Sequence, residues 1–143
     1  MSAVRVLQGE LQVKTAGRGF VDLTARVAGW LAEQRAQAGL VTAFVLHTSA
    51  SLVVQENADP DVRADLERFF ARLIPDSLEY AHRDEGPDDL PAHVRAALTA
   101  TQVSMPVRDG RLQLGTWQAL WLAEHRVAGS TRRVSLTFVG TGP

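Results

Sequence analysis

Gln102-Val103-Ser104-Met105-Pro106-Val107-Arg108-Asp109-Gly110-Arg111-Leu112-Gln113-Leu114 is the stretch that decides the architecture. Two extended runs flank Asp109-Gly110, a dipeptide whose tolerance of positive φ suits a tight hairpin turn. A hairpin makes its two strands antiparallel, and the segments beyond it extend the pattern. Gln118 to Arg126 reads as a further strand, although Ala119, Leu120 and Leu122 would also tolerate helix. Arg132 to Val139 alternates at Val134, Leu136 and Phe138, the two-residue period of a half-buried strand.

Upstream, Leu40 to His47 is a continuous apolar and β-branched run that predicts a buried strand, and Ser51 to Gln55 predicts a second. Val4 to Val13 alternates imperfectly and reads as a strand or hairpin with Gly9 as a bulge. Three helices fit between the strands. Asp22 or Thr24 caps one running to about Ala38, with Gly39 as its stop. Asp59 caps another that begins at Pro60 and carries Val62, Leu66, Phe69, Phe70 and Leu73 as its apolar stripe, ending at Pro75. After a charged loop from Glu79 to Asp89, a short helix runs from about Pro91 to Thr99. The expected fold is α+β, a mainly antiparallel sheet or sandwich with two to three helices, in a single domain over residues 1–143. No Gly-rich strand-to-helix turn supports a doubly wound nucleotide fold.

Composition narrows the chemistry. Hydrophobic residues at 45% supply enough apolar surface to drive a core, which argues against disorder. A formal charge of −1 gives no net attraction to nucleic acid or anionic lipid. There is no cysteine, so disulfides, thiolate nucleophiles and Cys-type zinc sites are excluded. No apolar run approaches a membrane span and the N-terminus lacks a secretory apolar region, so a cytoplasmic location is expected. Any metal must use the four histidines and the carboxylates.

Those histidines are His47, His82, His93 and His125. His82 and His93 stand eleven positions apart, unlike two ligands on one helix turn but suited to a loop ligand and a second near a helix start. Three imidazoles can hold a divalent ion and leave a coordination position open, with Glu85, Asp88 or Asp89 orienting their N–H groups. Local hydrogen bonding is the alternative for each ring, and His125, between Glu124 and Arg126, reads as structural or exposed. Asn57 stands in a polar strand-to-helix junction. Gly115-Thr116-Trp117-Gln118 offers a close backbone approach, a hydroxyl and a stacking ring, or simply a kinked strand. Ser49 or Ser51 beside His47 lacks the elbow motif of a nucleophilic serine.

His47-Thr48-Ser49-Ala50-Ser51-Leu52, Glu56-Asn57-Ala58-Asp59-Pro60-Asp61-Val62, His82, Asp84 through His93, Asp109-Gly110-Arg111-Leu112, Gly115-Thr116-Trp117-Gln118 and Glu124-His125-Arg126 together resemble the YjbQ family, in order and separation, over essentially the whole chain. The resemblance implies a compact α+β domain, a homotrimer and a polar cleft near the subunit boundary. It implies a divalent metal on His47, His82 and His93, and no ligand role for His125. Arg83 stands where relatives commonly carry an uncharged polar residue.

Members of that family are associated with a weak thiamine-phosphate synthase activity. The implied reaction condenses a pyrimidine-methyl diphosphate with a thiazole phosphate and releases diphosphate, with the cation and arginines stabilising the departing charge. Asn57, Thr116, Trp117 and Gln118 are the expected substrate-binding residues. Histidine ligands favour zinc, whereas diphosphate chemistry usually employs magnesium on oxygen ligands. That mismatch admits two alternatives: a zinc-dependent hydrolase of a small phosphorylated or amide-like metabolite, with Glu85 or Asp88 as general base, and a non-enzymatic trimer that binds metal and metabolite.

Overall fold

The computed structural model describes residues 3–143. In chain order the elements are β1 (Arg5–Lys14), β2 (Gly19–Asp22), α1 (Thr24–Glu33), β3 (Ala38–Val45), β4 (Ala50–Glu56), α2 (Pro60–Leu73), α3 (Asp89–Leu98), β5 (Gln102–Arg108), β6 (Arg111–Leu112), β7 (Gln118–Glu124) and β8 (Thr131–Thr141). The strands form two antiparallel sheets, one ordered β1-β8-β3-β5-β6 and a smaller one ordered β2-β7-β4. The fold is α+β. No helix among the described residues is long and apolar enough to cross a membrane.

The hairpin forms as its sequence requires: Asp109 and Gly110 both adopt positive φ, 54° and 74°, and Arg108 pairs with Arg111. The strands on either side of it sort their residues by period. Met105 and Val107 of β5, Val41, Ala43 and Val45 of β3, and Val134, Leu136 and Phe138 of β8 are all buried. They meet Val27 and Leu31 of α1 and Leu52, Leu120 and Leu122 of the smaller sheet in one apolar core. Strand β7 is buried along nearly its whole length. Two-sided burial explains its unbroken apolar run, which carries no strand period and is therefore compatible with helix in the sequence alone.

Helix α2 starts as expected, with the Asp59 carboxylate accepting from the Asp61 amide and Pro60 in the first turn. Its predicted apolar stripe divides. Leu66 and Phe70 turn inward and, with Phe20, Leu52 and Val103, line an apolar cavity of about 380 Å³. Phe69 and Leu73 face outward, 61% and 57% exposed. No residue of α2 is fully buried.

Two glycines act differently from their sequence reading. Gly39 does not end α1; that helix stops at Glu33, and Arg35 makes the turn with φ 58°. Gly39 lies within β3, where a Cβ would sit 2.2 Å from the Val139 carbonyl oxygen. Gly9 is no bulge, since β1 and β8 pair one to one through Gly9 and Leu136. Its missing side chain makes room for Trp30, whose Nε1 would lie 2.4 Å from a Cβ. Gly9→Ala is therefore expected to destabilise the chain by about 1–3 kcal/mol through overpacking. Urea unfolding measures the shift; an unchanged midpoint would show that the indole yields freely.

Candidate metal centre

Three chain segments reach the same end of the two sheets. Leu46 to Ser49 links β3 to β4, His125 to Ser130 links β7 to β8, and the first turn of α3 lies beside both. The pairing of Ala50 with Glu124 sets the first two side by side, and the His125 amide donates to the Ser49 carbonyl at 3.2 Å.

Asp89 and His93 stand four residues apart on α3, so both side chains project from one face. Asp89 is buried, with its side chain only 1% exposed. Its Oδ1 accepts from Arg126 Nη1 at 2.8 Å. Its Oδ2 lies 2.6 Å from His82 Nε2 and 3.2 Å from His93 Nε2. The three donor atoms all fall within 4.8 Å of one another, the spacing of a cation site.

The tautomers make that spacing informative. His93 Nδ1 lies 3.1 Å from the Thr48 carbonyl, which only accepts, so the proton of the neutral ring sits on Nδ1. His93 Nε2 then turns a lone pair toward the Asp89 carboxylate. Two acceptors at that distance require a cation or an additional proton between them. Two imidazoles and a carboxylate are a donor set that suits zinc or a neighbouring transition metal. The residues fit a divalent cation.

Burial works against ionisation of Asp89, but the hydrogen bond from His82 and the guanidinium charge of Arg126 prevail and hold its pKa below the ordinary carboxylate range. Arg126 orders the whole segment. Besides Asp89, its Nε donates to Asp88 Oδ2 at 3.0 Å and its Nη2 to the Glu85 carbonyl at 2.9 Å.

The remaining predicted residues separate into distinct places. His47 is outside the three-residue group. Its Nδ1 accepts from the Ser49 amide at 3.0 Å, and partial desolvation together with the Arg132 charge lowers its pKa. It shares one cavity with His93 and another with Arg126 and Arg132.

Asp88 is not poised as a general base. Burial opposes its charge, but hydrogen bonds from Arg126 and the Val127 amide outweigh that cost and leave its pKa lowered. An anchored, weakly basic carboxylate accepts protons poorly. Glu85 is exposed and meets Arg126 only through its backbone oxygen.

Asn57, Thr116, Trp117 and Gln118 do gather, but at the opposite end of the smaller sheet. The Asn57 amide donates to the Trp117 carbonyl, and Glu56 pairs with Gln118. Gln118 to Glu124 is a full strand, about 20 Å at ~3.4 Å per residue, so these residues do not share a site with Asp89 within one chain. Gln118 is spent on its own turn, its Oε1 accepting from the Gly115 amide. Trp117 is 61% exposed.

His125 is structural and buried. Its Nε2 lies 2.8 Å from Ser51 Oγ, and burial, with the charge of Arg95, pushes its pKa down to about 4. Ser51 is thus paired with His125 and not with His47.

Sequence alone places Asp89 among the candidate orienting carboxylates and, with Asp59 and Asp88, among the oxygen ligands a magnesium ion would prefer, but not in one set with the histidines. The signal for a ligand role is the Asp89-x-x-x-His93 spacing, one turn of helix, which the longer separation of His82 from His93 conceals. Arg126 carries no local signal, because its partners lie 37 and 38 residues away.

A model of the family described as "UPF0047 protein YjbQ-like" matches residues 9–141. The chain belongs to the YjbQ family. It is 44% identical over 134 residues to the UPF0047 protein YjbQ of Escherichia coli O157:H7, covering 93% of this chain and 97% of that one. A UPF0047 protein of Synechocystis is 47% identical over 125 residues, covering 87% and 85%. Among solved structures, a YbjQ-like protein of unknown function from Sulfolobus solfataricus superposes with a TM-score of 0.89 at 25% identity, covering 96% and 99%. A conserved hypothetical protein from Thermus thermophilus gives 0.81 at 37% identity, covering 90% and 97%.

Glu124 underpins this end of the YjbQ fold. It is 1% exposed, accepts from Arg132 Nε and Nη2 at 2.9 and 2.8 Å, and receives the Arg126 amide and the Thr15 hydroxyl. Glu124→Gln strands the buried Arg132 charge and is expected to cost about 3–5 kcal/mol. Burial raises the Glu124 pKa, but these hydrogen bonds overcome that effect and lower it. The carboxylate's contribution is therefore complete above the ordinary glutamate pKa and fades as pH falls through the depressed one. Urea titrations of both proteins across acidic pH should show the gap closing at the acid end; a constant gap would refute the assignment.

Proposed function

We propose that this YjbQ-family chain is a metal-dependent enzyme acting on a small phosphorylated substrate, with His82, Asp89 and His93 holding the cation. The observation that carries the reading is the approach of two imidazole nitrogens to one buried carboxylate oxygen, at 2.6 and 3.2 Å. When bound, a divalent ion supplies positive charge that stabilises a departing phosphate oxygen and lowers the pKa of water.

The reaction best matched to these residues is transfer with loss of diphosphate, as in thiamine-phosphate synthesis. Asp88 is committed to Arg126 and the Val127 amide, and this chemistry asks for little acid–base work: the thiazole nitrogen attacks a methylene while the C–O bond to diphosphate breaks. Arg126 fixes Asp89, and Asp89 fixes the two rings, so the chain contributes positioning and charge. The donor set itself favours a second reading. Imidazole ligands suit zinc better than magnesium, which supports hydrolysis of a phosphorylated metabolite with water as the acceptor.

The purified chain, loaded separately with zinc and magnesium, separates the readings when supplied with pyrimidine-methyl diphosphate and thiazole phosphate. Thiamine phosphate formed and abolished by His93→Ala supports transfer; zinc-dependent release of inorganic phosphate from phosphoesters supports hydrolysis; binding without turnover supports a non-enzymatic role. His82→Ala and His93→Ala should each lower zinc affinity by more than about 100-fold. Unchanged metal stoichiometry in both variants would overturn the centre.

We also propose that the chain assembles as a homotrimer. Val6, Val139, Leu40 and Pro106 align by register across the outer face of the larger sheet, all exposed and apolar, and contact with a second copy would cover them. Sedimentation at micromolar concentration is expected to give three times the chain mass; a monomer would count against assembly.

A further inference from the structure

Beside the cation centre lies a second cavity, of about 240 Å³, walled by His47, Arg126, Ser130 and Arg132. Among the described residues, the groups left over on its walls are chiefly donors. Arg132 gives Nε and Nη2 to Glu124, and its Nη1 has no partner among the described residues. His47 Nδ1 accepts the Ser49 amide, so the neutral ring carries its proton on Nε2, and that N–H also lacks a protein partner among these residues. The Ser130 hydroxyl makes no hydrogen bond within the described chain.

The same tautomer bears on metal binding. A ligating nitrogen needs a free lone pair. At His47 the Nδ1 lone pair faces an amide hydrogen and Nε2 is protonated. His93 is the opposite case, with Nδ1 donating and the Nε2 lone pair available. The Nδ1 of His82 meets no partner among the described residues, so that ring can carry its proton there and free Nε2 when a cation replaces its hydrogen bond to Asp89.

Charge couples the two places. Arg126 and Arg132 face Asp88, Asp89 and Glu124, two guanidiniums against three carboxylates. The cluster is left with a single net negative charge when no cation is bound. A divalent ion on Asp89 reverses that sign, and Arg126 contacts both Asp89 and the cavity.

We propose that this cavity is an oxyanion site that takes a phosphate group of the substrate, with His47 donating through Nε2–H and standing outside the metal ligand set. The assignment rests on the cation centre proposed above and names where that substrate's phosphate docks. Ser130 and Arg132 Nη1 complete the donor set. Occupancy depends on the cation, because only then is the surrounding charge positive.

Isothermal titration with inorganic phosphate tests this on the full chain, either metal-free or loaded with one equivalent of zinc and freed of excess, with zinc content measured in parallel. Phosphate should bind the zinc form at least about tenfold more tightly than the metal-free form. His47→Ala should keep the wild-type zinc stoichiometry and lose about tenfold to a hundredfold in phosphate affinity, the scale of one hydrogen bond to a charged group. Ser130→Ala, on an exposed loop, should lose about tenfold with zinc unchanged. Zinc loss in His47→Ala equal to that in His93→Ala would make His47 a ligand and overturn the assignment. Phosphate affinity indifferent to both substitutions would overturn the cavity. A wild-type chain that holds no zinc would refute the cation centre instead; the metal-free titrations then decide the cavity by whether binding still depends on His47 and Ser130.

Discussion

The guanidinium of Arg126 is the constraint on which the candidate site depends. It leaves the end of β7 and binds three acceptors on another segment, the Glu85 carbonyl and the carboxylates of Asp88 and Asp89. A partly exposed ion pair contributes little stability on its own. The contribution here is geometric, since a planar fork with fixed donor directions sets where the start of α3 lies relative to the sheet. Asp89 inherits its position from that contact, and the two imidazoles inherit theirs from Asp89. Glu124, at the end of the same strand, performs the matching task from inside by receiving the Arg126 amide while neutralising Arg132.

Much of this fold is legible in the sequence wherever a short-range rule governs it. The Asp109-Gly110 turn, the Asp59-Pro60 helix start and the alternation in β8 each depend on neighbours within a few residues. Sequence misleads where a distant contact decides the role. Gly9 is small because Trp30 crosses β1, and Gly39 because β8 passes close by; neither neighbour is near in sequence. Helical spacing makes the whole stripe on α2 look like core, yet Phe69 and Leu73 point outward into solvent.

The same distinction divides the site. His82 and His93 are identifiable as histidines flanking a charged loop, but the carboxylate between them is obscured by neighbouring acids of similar appearance. Asp88 and Asp89 differ by one position and both meet Arg126, but only Asp88 also receives the Val127 amide and only Asp89 is directed at the rings. Family resemblance groups Asn57 and Trp117 with the histidines because motif order says nothing about strand length. β4 and β7 carry those two groups to opposite ends. What resemblance joins in one set, the length of a seven-residue strand holds apart.

Helix α2 has no fully buried residue, whereas α3 buries Asp89, Pro91, Ala92 and Arg95. The two helices are joined by the ion pair of Glu67 with Arg95 at 2.6 Å. Local opening costs least where apolar burial is least. Charge supplies what apolar contact does not: parting the two helices would leave the buried Arg95 guanidinium without its carboxylate, so a single electrostatic tether fastens α2 over the hollow beneath it.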